Sequence, residues 1–200
     1  MKTKLRITSG KYRNRYLEVE LIDGLRPTQT KNRQAVFNMI GNNLEGLNFL
    51  DLFCGSGING FEALSRNVNE VVWIDSNSRI IAQLKKNIAR FPFSSEKLEV
   101  YCSKVDASFK MLSGRKFDII YLDPPFIKSA GDTDDSKIYM ACIEKIVQND
   151  FLNTNGLLII EFFSKYPINL DSLDHYLSLY KDKSYGSTGI RIYLKKQPNG

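Results

Sequence analysis

Two hundred residues with 42% apolar and 25% charged side chains describe one ordinary globular unit and exclude a disordered or fibrous chain. The net charge of +6 lies wholly in residues 1–33, where nine Lys and Arg face Glu18, Glu20 and Asp23, so a basic end joins a neutral body and suits a polyanionic partner. No apolar run nears the roughly 18 residues of a membrane span and none follows the charged start as in a secretory signal, so a cytoplasmic location without membrane contact is expected.

The chain opens on two short extended stretches, Leu5–Thr8 and Arg15–Val19, with Gly10 as the turn between them. Side chains alternate along an extended chain. Lys11, Arg13 and Arg15 are therefore expected on one face and Tyr12 and Tyr16 on the other. Residues 1–23 read as a small basic β-hairpin, an extension that docks RNA, and residues 24–200 as the main domain. Gly24–Thr28 (GLRPT) leads into a helix whose apolar face is Ala35, Val36, Met39 and Ile40.

Strand-like and helix-like stretches then alternate. Leu47–Leu52 is an apolar run that meets glycines at 55, 57 and 60, and Phe61, Ala63 and Leu64 begin a helical face. Val71–Ile74 is the next strand and ends at Asp75. Ile80, Ile81, Leu84 and Ile88 recur at helix spacing opposite Arg79, Lys85, Lys86 and Arg90, and Pro92 closes that helix. Leu98–Tyr101, Phe117–Leu122 and Leu157–Ile160 read as three further strands. Lys128–Lys137 is the only internal stretch that reads as a flexible linker. Leu177–Tyr180 and Ile190–Leu194 flank Ser184, Gly186, Ser187 and Gly189 without a helix between them, which predicts an antiparallel hairpin. The expected fold is α/β: a doubly wound, Rossmann-like seven-stranded sheet finished by that C-terminal hairpin.

Gly55–Gly60 (GSGING) matches the G-x-G-x-x-G pattern after a strand, and Asp75 ends the next strand twenty residues after Gly55. By itself this is the dinucleotide fingerprint, with an acid for the ribose hydroxyls. Asp51 argues otherwise. A carboxylate just ahead of the glycines would repel a pyrophosphate, but it suits S-adenosylmethionine, which carries an ammonium and a sulfonium. The glycines would let the backbone approach that cofactor closely. Glycines that serve only a turn, and an Asp that only caps a helix, are the plain structural reading of the same residues.

Asp123–Phe126 (DPPF) follows directly on Phe117–Leu122. Two prolines end sheet pairing and fix the backbone at the carboxyl edge, where open α/β sheets bind ligands. An aromatic amino group is a poor nucleophile because its lone pair is delocalised. Acceptors on its two hydrogens, the Asp123 carboxylate and the Pro124 carbonyl, favour the pyramidal nitrogen that attacks a methyl group, and Phe126 offers a face for stacking a base extruded from its helix. Asp123, Pro124, Pro125 and Phe126 are thus the candidate catalytic residues.

These residues resemble class I methyltransferases that act on amino groups. Ile7–Leu17 (ITSGKYRNRYL), Gly24–Thr28, Arg33 with Phe37 and Asn38, Asp51–Gly57 (DLFCGSG), Glu62–Arg66 (EALSR), Asp123–Phe126 and Arg191–Tyr193 are similar, in order, to RsmD-type bacterial 16S rRNA (guanine-N(2))-methyltransferases. The resemblance implies methyl transfer to the 2-amino group of one guanine in 16S rRNA, within an assembling or assembled 30S subunit. It implies a cofactor site at Asp51, Phe53, Gly55, Gly57, Asp75, Ser76, Asp106 and Asp123. Arg6, Lys11, Arg13, Arg15, Lys31 and Arg33 are the candidate RNA contacts. Members of that family usually carry Glu at the place of Asp75, Glu at that of Gln34 and Ala at that of Cys54. The acidic stretch 131–135 has no counterpart in the motif pattern.

Cys54, Cys102 and Cys142 form no Cys-x-x-Cys pair, and His175 is the single histidine, so neither a disulfide framework nor a metal site is expected. A monomer is expected. A DNA amino-methyltransferase acting on adenine or cytosine, a nicotinamide-dependent oxidoreductase and a non-catalytic RNA-binding assembly factor are the competing readings.

Overall fold

The computed structural model describes residues 2–20, 30–93, 96–125, 135–166 and 168–197. Gly24–Thr28, Phe126, and residues 128–134 of the expected linker and acidic stretch lie outside them.

A two-stranded antiparallel sheet comes first, β1 (Lys2–Arg6) and β2 (Tyr16–Glu20), with Leu5 opposite Leu17 and Lys4 opposite Glu18. Its alternation sends Leu5, Leu17 and Val19 inward, where they join Ile7 and Tyr12 in the same buried core as Phe61 and Trp73. The strands are set differently from the sequence expectation. Lys11, Arg13 and Arg15 sit in a turn rather than on an extended face: Arg13 N–H donates to Gly10 O at 3.1 Å, Arg15 N–H to Tyr12 O at 3.1 Å, and Asn14 takes a left-handed φ of 67°. Gly10 is fixed here by close approach as well as by its φ of 78°, since a Cβ would fall 1.7 Å from Ser65 O.

After α1 (Thr30–Ile40) the chain alternates: β3 (Asn48–Leu52), α2 (Ile58–Ser65), β4 (Glu70–Asp75), α3 (Ser78–Ile88), β5 (Lys97–Cys102), α4 (Val105–Met111), β6 (Phe117–Leu122), α5 (Asp135–Gln148) and β7 (Leu152–Phe163). The last two strands, β8 (Leu177–Tyr185) and β9 (Thr188–Lys195), form the expected antiparallel hairpin. The seven-stranded order is β5-β4-β3-β6-β7-β9-β8, parallel from β5 through β7. The order reverses at β3, so β3 and β6 bound the crevice at the carboxyl edge where such sheets bind ligands.

One core lies on each side of the sheet. Phe49, Trp73, Tyr121 and Ile159 meet α2, α3 and the N-terminal hairpin, while Leu50, Ile74, Leu122 and Ile160 meet α4 and α5. The apolar face of α1 turns further than its spacing suggests: Asn32, Arg33, Val36 and Phe37 are buried, whereas Ala35, Met39 and Ile40 are only half-buried. Strand β7 starts well before the expected Leu157 because Asn153–Gly156 bulges between two paired segments, with Asn155 at φ 62°. No helix among the described residues is long and apolar enough to cross a membrane.

Candidate methyl-transfer site

The glycine loop between β3 and α2 is wound tightly. Phe53, Gly55 and Gly57 all have positive φ (58°, 51° and 75°), and Gly57 N–H donates to Cys54 O at 2.8 Å. A non-glycine residue held there costs on the order of 1–3 kcal/mol, and such strain gathers at ligand sites. The third glycine does something else. Gly60 lets the Trp73 indole lie against α2, where a Cβ would fall 2.2 Å from its nitrogen, and that indole donates to Gly57 O at 3.1 Å.

Two carboxylates brace the loop. Asp75, half-buried at the end of β4, accepts Gly55 N–H at 3.0 Å and Asn77 N–H at 2.8 Å. Asp51 is 1% exposed and accepts Gly60 N–H at 3.3 Å. Burial pushes the Asp51 carboxyl well above the ordinary range, and Asp75 and Glu161 add to the effect through like charge, against the Gly60 bond. Among the described residues, the charged groups acting on Asp51 are negative, an arrangement suited to a cationic ligand. The buried side-chain oxygen of Asn59, at the start of α2, has no hydrogen-bond partner among the described residues and is a further acceptor there. The residues present fit the ammonium and sulfonium of S-adenosylmethionine better than a pyrophosphate. Ser76 is exposed just past Asp75.

Asp123 is half-buried directly beyond β6, Pro124 is buried and Pro125 is exposed. Pairing places Asp51 opposite both Trp73 and Tyr121, so Asp51, Asp75 and Tyr121 share one face of three adjacent strands, with Asp123 just past the end of the third. The structure therefore gathers Asp51, Phe53, Gly55, Gly57, Asp75, Ser76 and Asp123–Pro125 along one edge. Asp106 is exposed in the first turn of α4, which follows β5 at the same edge, and is ion-paired with Lys145 of α5.

The basic residues divide. Arg6, Lys11, Arg13, Arg15 and Lys31 are exposed, although Lys11 pairs with Glu96 at 2.5 Å and Arg15 lies over the rings of Tyr12 and Phe91. Arg33 is a correction. Its side chain is fully buried, donating from Nε to Glu62 at 3.0 Å and from Nη2 to Arg6 O at 2.8 Å, so no part of it faces a ligand. Glu62 also takes Arg66 and both the N–H and hydroxyl of Thr8, which makes it the junction of α1, α2 and the hairpin. The turn holding Lys11 packs on Ser65 at the far end of α2, and Glu96 just precedes β5. That is the amino edge of the sheet. Asp123 is thus about 15–20 Å away, the length of a five- or six-residue strand.

Sequence reasoning assigned no role to Glu62, Arg66 or Glu161. The signals were present: Glu62 and Arg66 are four apart in an otherwise apolar helix, and Glu161 ends the apolar run Leu157–Ile160.

A protein-family model, conserved hypothetical protein 95, matches residues 5–194. The chain is 32% identical to ribosomal RNA small subunit methyltransferase D of Haemophilus influenzae over 193 residues, covering 96% of this chain and 94% of that protein. It is 28% identical to the Escherichia coli protein of the same name, covering 96% and 91%. The solved structure of the Haemophilus influenzae protein HI0767 superposes with a TM-score of 0.77 at 28% identity, covering 98% of this chain and all of that one. By the extent of these matches, the chain belongs to the conserved hypothetical protein 95 family, that of the ribosomal RNA small subunit methyltransferase D proteins.

Proposed function

We propose that this protein transfers a methyl group from S-adenosylmethionine to the 2-amino group of a guanine in 16S rRNA, within an assembling or assembled 30S particle. The observation that carries the reading is the set of like-charged acids around a strained glycine loop, at the same sheet edge as Asp123 and its two prolines. Similarity to relatives named as small-subunit rRNA methyltransferases supports the substrate.

Bound S-adenosylmethionine supplies an electrophilic methyl on sulfur. The protein's residues do the rest. Asp51 and Asp75 hold the loop and complement positive charge, and Asp75 is the acceptor for ribose hydroxyls. Asp123 and the Pro124 carbonyl take the two hydrogens of the target amino group and hold its lone pair toward the methyl. The amino nitrogen would take the methyl from the bound sulfonium, which would leave as the neutral thioether, and the Asp123 carboxylate would accept the nitrogen's proton. Acceleration comes from positioning and from fixed acceptors aimed at charge growing on nitrogen.

The test is transfer of labelled methyl from S-adenosylmethionine to 30S particles and to free 16S rRNA, followed by digestion and identification of the nucleoside. N(2)-methylguanosine in 16S rRNA is the expected product. Label in DNA adenine or cytosine would move the reading to a DNA enzyme. Binding of NAD with no response to S-adenosylmethionine would overturn it.

A further inference from the structure

Beyond Asp123 the acidic face continues onto β7. The β6–β7 register runs Tyr121 opposite Ile159 and Leu122 opposite Ile160, which sets Asp123 and Glu161 next in line at the carboxyl edge. Glu161 is 3% exposed, and its carboxylate accepts the hydroxyl of the fully buried Tyr121. Its backbone oxygen accepts the Tyr139 hydroxyl at 2.7 Å, which ties α5 to the same point. A glutamate here has a cost. Its charge is removed from water, and it raises the proton affinity of both Asp51 and Tyr121.

We propose that Glu161, oriented by Tyr121, is a positioning residue for methyl transfer. It holds a negative charge beside Asp123, on the acceptor side of the site, while Asp51 and Asp75 hold theirs on the cofactor side. During transfer, positive charge leaves sulfur and grows on the acceptor nitrogen, from which the proton then passes to Asp123. The fixed charge of Glu161 becomes more favourable along that path, and in a water-poor setting such a term acts on the rate rather than on binding. The phenol of Tyr121 aims the carboxylate, and its donated hydrogen bond favours the charged form.

This inference rests on the methyl-transfer reading above, so wild-type protein must first label RNA; if it does not, that reading fails independently of Glu161. The informative variants are Glu161→Gln, which keeps the shape and an acceptor for Tyr121, and Tyr121→Phe, which keeps the charge but frees it. Each is compared with wild type in kcat, in the affinity for S-adenosylhomocysteine by calorimetry, and in the melting temperature of the ligand-free protein. Glu161→Gln is expected to lower kcat at least about tenfold, the scale of a nearby charge in a low-dielectric site. Tyr121→Phe should lower it by a smaller factor. S-adenosylhomocysteine affinity should stay within about threefold. The melting temperature of Glu161→Gln should hold or rise, because a buried like charge is removed from beside Asp51. A purely structural Glu161 predicts that melting temperature and affinity fall together with rate. That result, or wild-type kcat in either folded variant, overturns the proposal.

Discussion

Arg33 Nε donates to Glu62 Oε1 across 3.0 Å, and neither side chain reaches solvent. Glu62 is shared with Arg66, whose guanidinium also lies 4.4 Å from the Phe37 ring centroid. Removing Arg33 leaves Glu62 paired with Arg66 but strips the buried carboxylate and Arg6 O of charge-assisted hydrogen bonds, each worth about 1.5–3 kcal/mol. Arg33→Gln is therefore expected to lower the unfolding free energy by about 2–4 kcal/mol in a denaturant titration, without weakening cofactor binding by the folded fraction. Unchanged stability with weakened RNA affinity would return Arg33 to the RNA surface.

That pair also shows where sequence reading stops. Periodicity identified the strands from Val71–Asp75 to Ile190–Leu194 because each is an apolar run bounded by turn residues, and the parallel pairing follows from the α/β alternation, whereas the place where the order reverses came only with the structure. The glycine loop, Asp51, Asp75 and Asp123 were legible because local spacing defines them. Arg33 was misread because a basic residue in a basic segment looks exposed. Its burial depends on Glu62, 29 residues away. The turn at Lys11–Arg15 was misread because the groups that hold it, Ser65 and Glu96, are likewise distant. Tyr121 with Glu161 could be found only once β6 and β7 were in register.

Asp75 both braces Gly55 and is assigned the ribose hydroxyls. Asp75→Ala should weaken binding of S-adenosylmethionine and of S-adenosylhomocysteine by more than about tenfold, or ~1.4 kcal/mol. Calorimetry measures both. Equal weakening of the two is the specific expectation, since they share the ribose and differ only at sulfur. Wild-type affinity would remove Asp75 from the cofactor site.

Asp123 is given its duty toward the target amino group rather than the cofactor. Asp123→Ala should abolish measurable transfer while leaving cofactor affinity within about tenfold. Single-turnover labelling of 30S particles and calorimetry on one preparation separate the two effects. Near-normal turnover in this variant would sink the proposed mechanism.

Asp150 sits far from that chemistry, between Lys116, Tyr176 and the largely buried Lys195. Burial acts to raise its carboxyl, but the hydrogen bonds from Lys116, Lys195 and Tyr176 outweigh it and hold the group well below its ordinary 3.8. A carboxyl depressed in the folded state contributes stability that is present above its unfolded value and lost as pH falls toward the folded one. Asp150→Asn, which suits the positive φ of 51° there, should lower the melting temperature by a few degrees at neutral pH. The gap from wild type should close as pH falls below about 4. A gap that persists at low pH would show that packing, not charge, holds this corner.

Most of the hairpin's surplus charge lies in its turn. Along the strands Lys2 pairs with Glu20 and Lys4 stands opposite Glu18, which leaves Arg6, opposite Tyr16, as the one base without a cross-strand acid. Arg13 and Arg15 are exposed at the turn, and Lys11 is already engaged by Glu96. If this turn touches RNA, it does so at the amino edge, about 15–20 Å from Asp123, against a part of the substrate remote from the target base. Arg13→Gln/Arg15→Gln should therefore weaken binding to 16S rRNA or 30S particles and flatten its salt dependence. The log–log slope should fall by about 0.7 for each single-strand phosphate that is no longer neutralised, or by about 0.9 for each phosphate of a duplex. A short oligonucleotide confined to the target loop should show no change, because it cannot reach the turn. Cofactor affinity should also hold, since neither arginine is near the glycine loop. Adding Lys11→Gln should contribute less than either arginine, because Lys11 is already partly neutralised by Glu96. A solvated turn that serves only solubility predicts the wild-type slope on every substrate. Fluorescence titrations at four or more salt concentrations decide between the two, and an unchanged slope on 30S particles leaves Arg6 and Lys31 as the remaining basic candidates.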